Sequence, residues 1–356
     1  MHKKLFIPGP VEVRPEVLEK MSTPMIGHRG KAASDLQRGI SEKLQQVFAT
    51  KEAILLSTSS GSGLMEGAVR SCTAKRAACF SVGAFGKRWY EMAVSNAVAA
   101  DLLEVPWGQP NTVEQLEQAL GSGQYDLLTI THNETSTGLM NPLAELSAVW
   151  KRYPEIVVCV DAVSSMGGTN IPVDEWGIDI CVTSTQKSLG LPPGLAICSF
   201  SAKALDRAGK VEHRGYYLDL LALYEYIRDK DNQYPSTPSL SHMFALDYQL
   251  DLILAEGLER RYARHEEMAE LVRSWARQHF ALFADERCLS NTLTTITNTK
   301  GIDVASLNQA LGQRGWQISN GYGKMKDQTF RIAHMADATP AEIKALLADI
   351  NEILGL

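Results

Sequence analysis

A chain of 356 residues, 45% hydrophobic and 21% charged, has the composition of a soluble globular protein and is long for a single core, so a large domain with a smaller one is expected. Its 35 Lys and Arg against 41 Asp and Glu leave a net charge of −6, with no basic run longer than a pair, which argues against nucleic acid or an anionic membrane as the main partner. Six cysteines (72, 79, 159, 181, 198 and 288) contain no CxxC, and three of them sit in apolar runs, as expected of reduced core thiols rather than disulfides or a metal site.

The N-terminus, MHKKLFIPGP, has too short an apolar stretch for a signal-peptide core, and no run approaches a membrane span; a cytoplasmic protein is expected. Pro8, Gly9, Pro10 and Pro15 make residues 1–15 an extended arm. A helix follows at Pro15 to Met21, then the turn-rich TPMIGHRG with Gly27, His28 and Arg29. An amphipathic helix spans about Ser34 to Ala49, with Leu36, Ile40, Leu44, Val47 and Phe48 on one face. From Ala53 strands alternate with helices: AILLST, a helix over LMEGAVRSC, ACFSV, the loop GAFGKR before a helix near Trp89 to Ala97, DLLEV, a helix at Val113 to Leu120, DLLTIT, and a helix from Pro142 to Arg152. This pattern predicts a mostly parallel sheet between helices.

Two apolar, β-branched runs come next. IVVCVD ends on Asp161, and DICVTSTQK ends on Ser184-Thr185-Gln186-Lys187. Ligands of open α/β sheets bind outside the carboxyl ends of the strands, so an acid and a lysine delivered there suggest one site. An aspartate facing a pyridinium nitrogen and a lysine free to form a Schiff base are the pair that pyridoxal phosphate (PLP) chemistry requires. Either residue taken singly also reads as a helix cap or a solvated loop residue. LAICSF closes the series. Beyond Lys203 lie an apolar, aromatic segment (Leu218 to Tyr226), the polar loop DKDNQYPSTPS and a long helix from Ser241 to about Phe280, broken near Gly257. A strand (LTTITN), a helix (Val304 to Arg314), strands near WQIS and TFRIAH and a helix from Pro340 to Leu354 complete an α+β pattern. The expected division is 1–15 arm, 16–255 large domain and 256–356 small C-terminal domain.

Other segments carry candidate chemistry. Ser59-Ser60-Gly61-Ser62-Gly63 lies between a strand and a helix, where main-chain N–H groups make a phosphate cup; it matches neither the dinucleotide fingerprint nor a Walker loop. Ser184-xx-Lys187 matches the SxxK of serine β-lactamases, but the Ser-Asp-Asn and Lys-Thr-Gly that such enzymes need are absent. HNETSTG (His132 to Gly138) offers polar side chains at a strand end. Phe85 is placed to stack on a planar group or to pack in the core. Arg331, in an apolar run, suits a carboxylate or a structural ion pair.

Together, PGPVEV, PMIGHRG, SSGSGLME, THNETSTG, VDAVSSMGG, STQKSLGLPPG, YPSTPS and FRIAH make the whole chain resemble the class V aminotransferases of the fold-type I PLP enzymes, in the alanine–glyoxylate, serine–glyoxylate and serine–pyruvate branch. The resemblance implies a mostly parallel seven-stranded sheet between helices with a smaller α+β domain. It makes Lys187 the Schiff-base lysine and Asp161 the partner of the pyridine nitrogen. Val163 and Phe85 would flank the ring; many relatives carry tryptophan where Phe85 stands. Ser60, Gly61, Ser62 and Gln186 would hold the phosphate, and Thr135 would bond the cofactor. Tyr234 and Thr237 would reach the phosphate from the neighbouring subunit of a homodimer. Arg331 would bind the substrate carboxylate, with Gly27, His28 and Arg29 as further candidates at the mouth.

The implied reaction is ping-pong transamination between alanine or serine and glyoxylate or pyruvate, without a metal. Aspartate or 2-aminoethylphosphonate as donor stays open through Arg29. A cysteine desulfurase-like lyase is disfavoured because Gln186 replaces the histidine that precedes the lysine there, and Ser319 to Gln328 holds no cysteine. A catalytically silent relative is disfavoured by the presence of Lys187, Asp161 and Arg331.

Overall fold

The computed structural model describes residues 2–356. Strand β1 (Lys4–Phe6) opens the chain, followed by helices α1 (Pro15–Lys20) and α2 (Lys31–Phe48). Proline at the first turn of α1 suits a position where the N–H would have no partner. Then β2 (Ala53–Ser57), α3 (Gly61–Cys72), β3 (Ala77–Ser81), α4 (Ala84–Ser95), β4 (Ala100–Glu104) and β5 (Leu127–Thr131) alternate as their patterning demands. A two-stranded ribbon, β6 (Asn133–Glu134) with β7 (Leu139–Met140), interrupts the series before β8 (Val157–Asp161), β9 (Ile180–Ser184) and β10 (Ala196–Phe200).

These strands form a seven-stranded sheet in the order β2-β10-β9-β8-β5-β3-β4. All are parallel except β10, which runs against both β9 and β2. Strands β3, β5, β8, β9 and β10 are buried along their whole length, as sheets covered by helices on both faces require. The fold is therefore the α/β architecture expected, with one reversed strand that hydrophobic patterning does not reveal.

A second sheet takes β11 (Ala281–Leu282), β12 (Leu293–Thr297), β13 (Trp316–Asn320) and β14 (Thr329–Ala333), in the order β1-β13-β14-β12-β11. Its edge is the N-terminal strand: Lys4, Leu5 and Phe6 pair in parallel with Trp316, Gln317 and Ile318. Phe6 is buried in the core of this sheet with Val272, Leu311, Phe330 and Ile343. The arm read as extended is thus a strand of the sheet built from the far end of the chain.

The long helix breaks at Gly257 (φ +86°) into Leu240–Glu256 and Leu258–His279. Just past the break Arg261, 1% exposed, ties the two sheets together. It donates to the Gly167 and Ser188 carbonyls at 2.9 and 2.8 Å and pairs with Glu256 and Asp337 at 2.9 and 3.0 Å. Asp337 also meets Arg14 at 3.0 Å; burial alone would raise its pKa, and Arg261 and Arg14 hold it below the usual value. No helix among the described residues is long and apolar enough to cross a membrane.

Truncating one partner of a buried ion cluster strands the others. Arg261→Ala is expected to lower unfolding stability by about 3–5 kcal/mol, read in urea melts, whereas the half-exposed pair partner Arg277→Ala changes it by less than about 1 kcal/mol.

Candidate active site

The carboxyl end of the large sheet opens into a cavity of ≈ 290 Å³ lined by residues of α3, α4, β6 and β8 and of the connections next to them and after β9. Adjacent parallel strands β8 and β9 bring Asp161 and Lys187 to it, Asp161 as the last strand residue and Lys187 from the turn after β9. Asp161 is 5% exposed. Its carboxylate accepts the Val163 N–H at 2.8 Å and the Thr131 hydroxyl at 3.4 Å. Burial raises its pKa to about 6; the Val163 N–H opposes this, and Glu134 adds to it. Burial likewise lowers the Lys187 amine to about 8, resisted by Asp161 and reinforced by Arg331 and Arg88. The Lys187 amine donates to the carbonyl of Pro8 rather than to Asp161.

Helix α3 enters the cavity by its N-terminus. Ser60, its N-cap, makes no side-chain cap, and the Gly61 and Ser62 N–H groups find no acceptor among the described residues. An uncapped helix start lined by hydroxyls favours an anion. Gln186, on the same wall, is held by the Ser184 hydroxyl.

Phe85, expected in a loop, stands in the first turn of α4. Gly83 and Ala84 offer no side-chain cap, so local sequence does not announce this helix start. The cap comes from a distant segment: the buried Glu134 carboxylate accepts the N–H groups of Phe85 and Gly86 at 2.9 and 3.0 Å, and the Ser136 hydroxyl accepts that of Ala84 at 3.1 Å. The HNETSTG cluster therefore serves largely to hold α4. Its Thr135 and Asn133 line the cavity, and Asn133 bonds Ser164 and Thr292 through its amide nitrogen while its Oδ1 has no partner among the described residues. His132 is sealed by burial, which pushes its pKa down to about 3, and it bonds Ser165.

Arg331, 8% exposed, lies at the cavity's edge, bonded through Nε to the Asn320 carbonyl and through Nη1 to that of Thr135, both at 3.0 Å. Its Nη2 has no partner among the described residues. Burial brings its pKa down to about 10. The structure thus collects Ser60, Gly61, Ser62, Phe85, Thr135, Asp161, Val163, Gln186 and Lys187 around one space, with Arg331 beside it.

The remaining candidates stand elsewhere in this chain. Tyr234 and Thr237 line a separate cleft with Thr58 and Tyr217, and the Tyr234 hydroxyl donates to Gln37. The Arg29 guanidinium donates to the Tyr234 and Pro235 carbonyls and lies over the Tyr226 ring; Gly27 and His28 are absent from the Lys187 cavity.

Sequence reading missed three residues. Arg88, one turn after Phe85, lies 4.6 Å over its ring and 3.5 Å from both the Ser62 and Tyr322 hydroxyls, without a carboxylate partner among the described residues. Tyr322 comes from the connection after β13, its ring 5.3 Å from Phe85 and 5.6 Å from the Arg331 guanidinium. Thr131 supports Asp161. Nothing local signals either Arg88 or Tyr322, since each takes its place from a partner distant in sequence.

The "Aminotransferase class-V" family model matches residues 15–346. An uncharacterised aminotransferase of Methanocaldococcus jannaschii is 38% identical over 98% of this chain and 92% of its own length. An L-aspartate–glyoxylate aminotransferase of Paracoccus denitrificans is 30% identical over 99% and 91%. Among solved structures, an alanine–glyoxylate aminotransferase from Nostoc sp. superposes with a TM-score of 0.93 at 25% identity, covering 99% of this chain and 96% of that one.

The raised Asp161 pKa means the folded chain binds the extra proton, so this group stabilises the fold below about pH 4 and that contribution is lost as pH rises through about 6. In cofactor-free protein, Asp161→Asn is expected to raise unfolding stability at pH 8 by on the order of 2 kcal/mol, with a smaller gain at pH 5, measured by denaturant melts.

Proposed function

The chain belongs to the class V aminotransferase family, a transaminase, and from that premise we propose that it moves the amino group of alanine or serine to glyoxylate or pyruvate with PLP as cofactor. The observation that carries this reading is the meeting of Asp161, Lys187 and the open start of α3 in one cavity. The fit to PLP rests on groups left unsatisfied: a buried carboxyl without a cation against it, an uncapped helix start for a phosphate, and the unpartnered Oδ1 of Asn133. Ser60, Gly61, Ser62 and Gln186 would hold the phosphate, Phe85 and Val163 the two ring faces, and Thr135 a polar edge.

Bound there, PLP would carry the amino group and take up the electrons left when the Cα–H bond breaks. Asp161 would keep a proton on the ring nitrogen. Lys187, its pKa lowered to about 8 by burial, is the base and acid that carries the proton between Cα and cofactor. Arg331, with Nη2 free, would grip the substrate carboxylate.

We further propose a homodimer. Tyr234 and Thr237 stand apart from their own chain's Lys187 cavity, and Tyr216 and Tyr217, 86% and 47% exposed, lie next to or within the cleft that holds them. Both glyoxylate-named proteins above support that acceptor.

A second donor reading has an observation of its own. Arg29 is engaged by the Tyr234 loop, but Arg88 stands in the cavity without an acid partner and suits a second carboxylate, as in aspartate. A panel of alanine, serine, aspartate and 2-aminoethylphosphonate against glyoxylate, pyruvate and 2-oxoglutarate separates the readings. Alanine or serine is expected to give the highest kcat/KM; a tenfold advantage for aspartate that Arg88→Ala removes would establish the second reading instead. Lys187→Ala is expected to lower transamination at least about a thousandfold with unchanged circular dichroism, and a variant keeping full turnover would refute the lysine's role.

A further inference from the structure

We propose that Pro8 and Gly9 form an N-terminal clasp that positions the Lys187 amine whenever that amine is not bonded to the cofactor. The inference rests on the transaminase reading, with Lys187 as the reacting amine. The Pro8 carbonyl accepts the Lys187 Nζ hydrogen bond. Gly9 adopts φ +112°, and a Cβ built on it would lie 2.7 Å from Lys187 Cδ and 2.8 Å from both Cε and Nζ. Only a residue without a side chain lets the arm pass this close. The next contact fastens the arm to the same turn: the Val11 N–H donates to the Gln186 carbonyl at 3.2 Å. Before Pro8 the arm is anchored in the other sheet, through the β1–β13 pairing and the buried ring of Phe6.

The physical need for such a clasp is specific to a lysine. A released four-carbon side chain samples many rotamers, and a proton carrier that wanders by an ångström loses much of its rate. A main-chain carbonyl accepts from either the amine or the ammonium and takes no proton itself. It directs the nitrogen without competing as a base, as a carboxylate there would. The charged groups around the amine come from three other elements: Asp161 on β8, Arg88 on α4 and Arg331 on β14. The clasp is the uncharged fourth wall, and its acceptor favours the protonated amine.

The test reads Lys187 without turnover. In cofactor-free protein, labelling of Lys187 by a small amine-specific reagent is followed by peptide mass spectrometry against pH. Gly9→Ala is expected to lower the titration midpoint by about half a unit or more and, in the holoenzyme, to lower kcat about tenfold while donor KM stays within about twofold. Phe6→Leu, which loosens the arm at its anchor without touching Lys187, should move both readouts the same way by less, and it decides the question if Gly9→Ala does not fold. Gly301→Ala, at another positive φ (+61°) with open space around it, controls for backbone strain and should change neither. Unmoved midpoint and kcat in both arm variants would overturn the clasp. So would a fall in kcat with the midpoint unmoved, since a merely structural defect produces that. Full turnover in Lys187→Ala would instead remove the transaminase role of the lysine, a separate failure.

Discussion

A carboxyl closed off at the end of a buried strand is the constraint around which this molecule is arranged. Asp161 has one main-chain N–H and one hydroxyl where an ionised carboxylate wants several donors or a cation. The nearest amine, that of Lys187, is turned to a main-chain carbonyl instead. The deficit is held in place by structure that has no slack. β8 is buried on both faces, the turn after it is bonded to β9 and to His132 and Asn133 after β5, and α3 closes one side of the cavity. A buried acid left short of partners in a cavity marks a candidate functional group, and Phe85 and Val163 line the same space.

The second sheet takes part in this arrangement. Arg261, placed by the break at Gly257, bonds the carbonyl of Ser188, the residue after Lys187, and that of Gly167 after β8. One guanidinium thus fixes both turns whose side chains matter, while its charge is balanced by Glu256 and Asp337. Tyr322 and Arg331 reach the cavity from the same side. The second sheet therefore borders the cavity through Arg331, which bonds Thr135, and through Tyr322, which packs on Phe85.

Much of this was legible in the residues because the signals are local. Apolar runs ending on Asp161 and just before Lys187, and hydroxyl-rich glycines between a strand and a helix, each report their place through spacing alone. The missed features depend on partners distant in sequence. The start of α4 is capped by Glu134 from beyond β5, so Phe85 read as loop. Arg88 looked like any helix-face cation until Tyr322 and Ser62 came beside it. The reversed direction of β10 leaves no trace in its apolar pattern, which is that of its parallel neighbours. Strand β1 is three residues long, too short for a period, and its partner lies near the other end of the chain. The small sheet's own strands β12 and β14 were visible, but not the guest at its edge.

That guest strand sets an order of events during synthesis. Residues Lys4 to Phe6 leave the ribosome long before their partner strand β13, Trp316 to Asn320. At about 5–20 residues per second the N-terminal segment waits on the order of tens of seconds with its edge and the Phe6 ring unprotected. The strands of the large sheet are all complete by then, so Asp161 and Lys187 can meet in a nascent chain whose N-terminal arm is not yet anchored in the second sheet. Chains that stop before β13 would remain in that state. Strand β1 and its partner strands of the second sheet are thus joined only after the large sheet is complete.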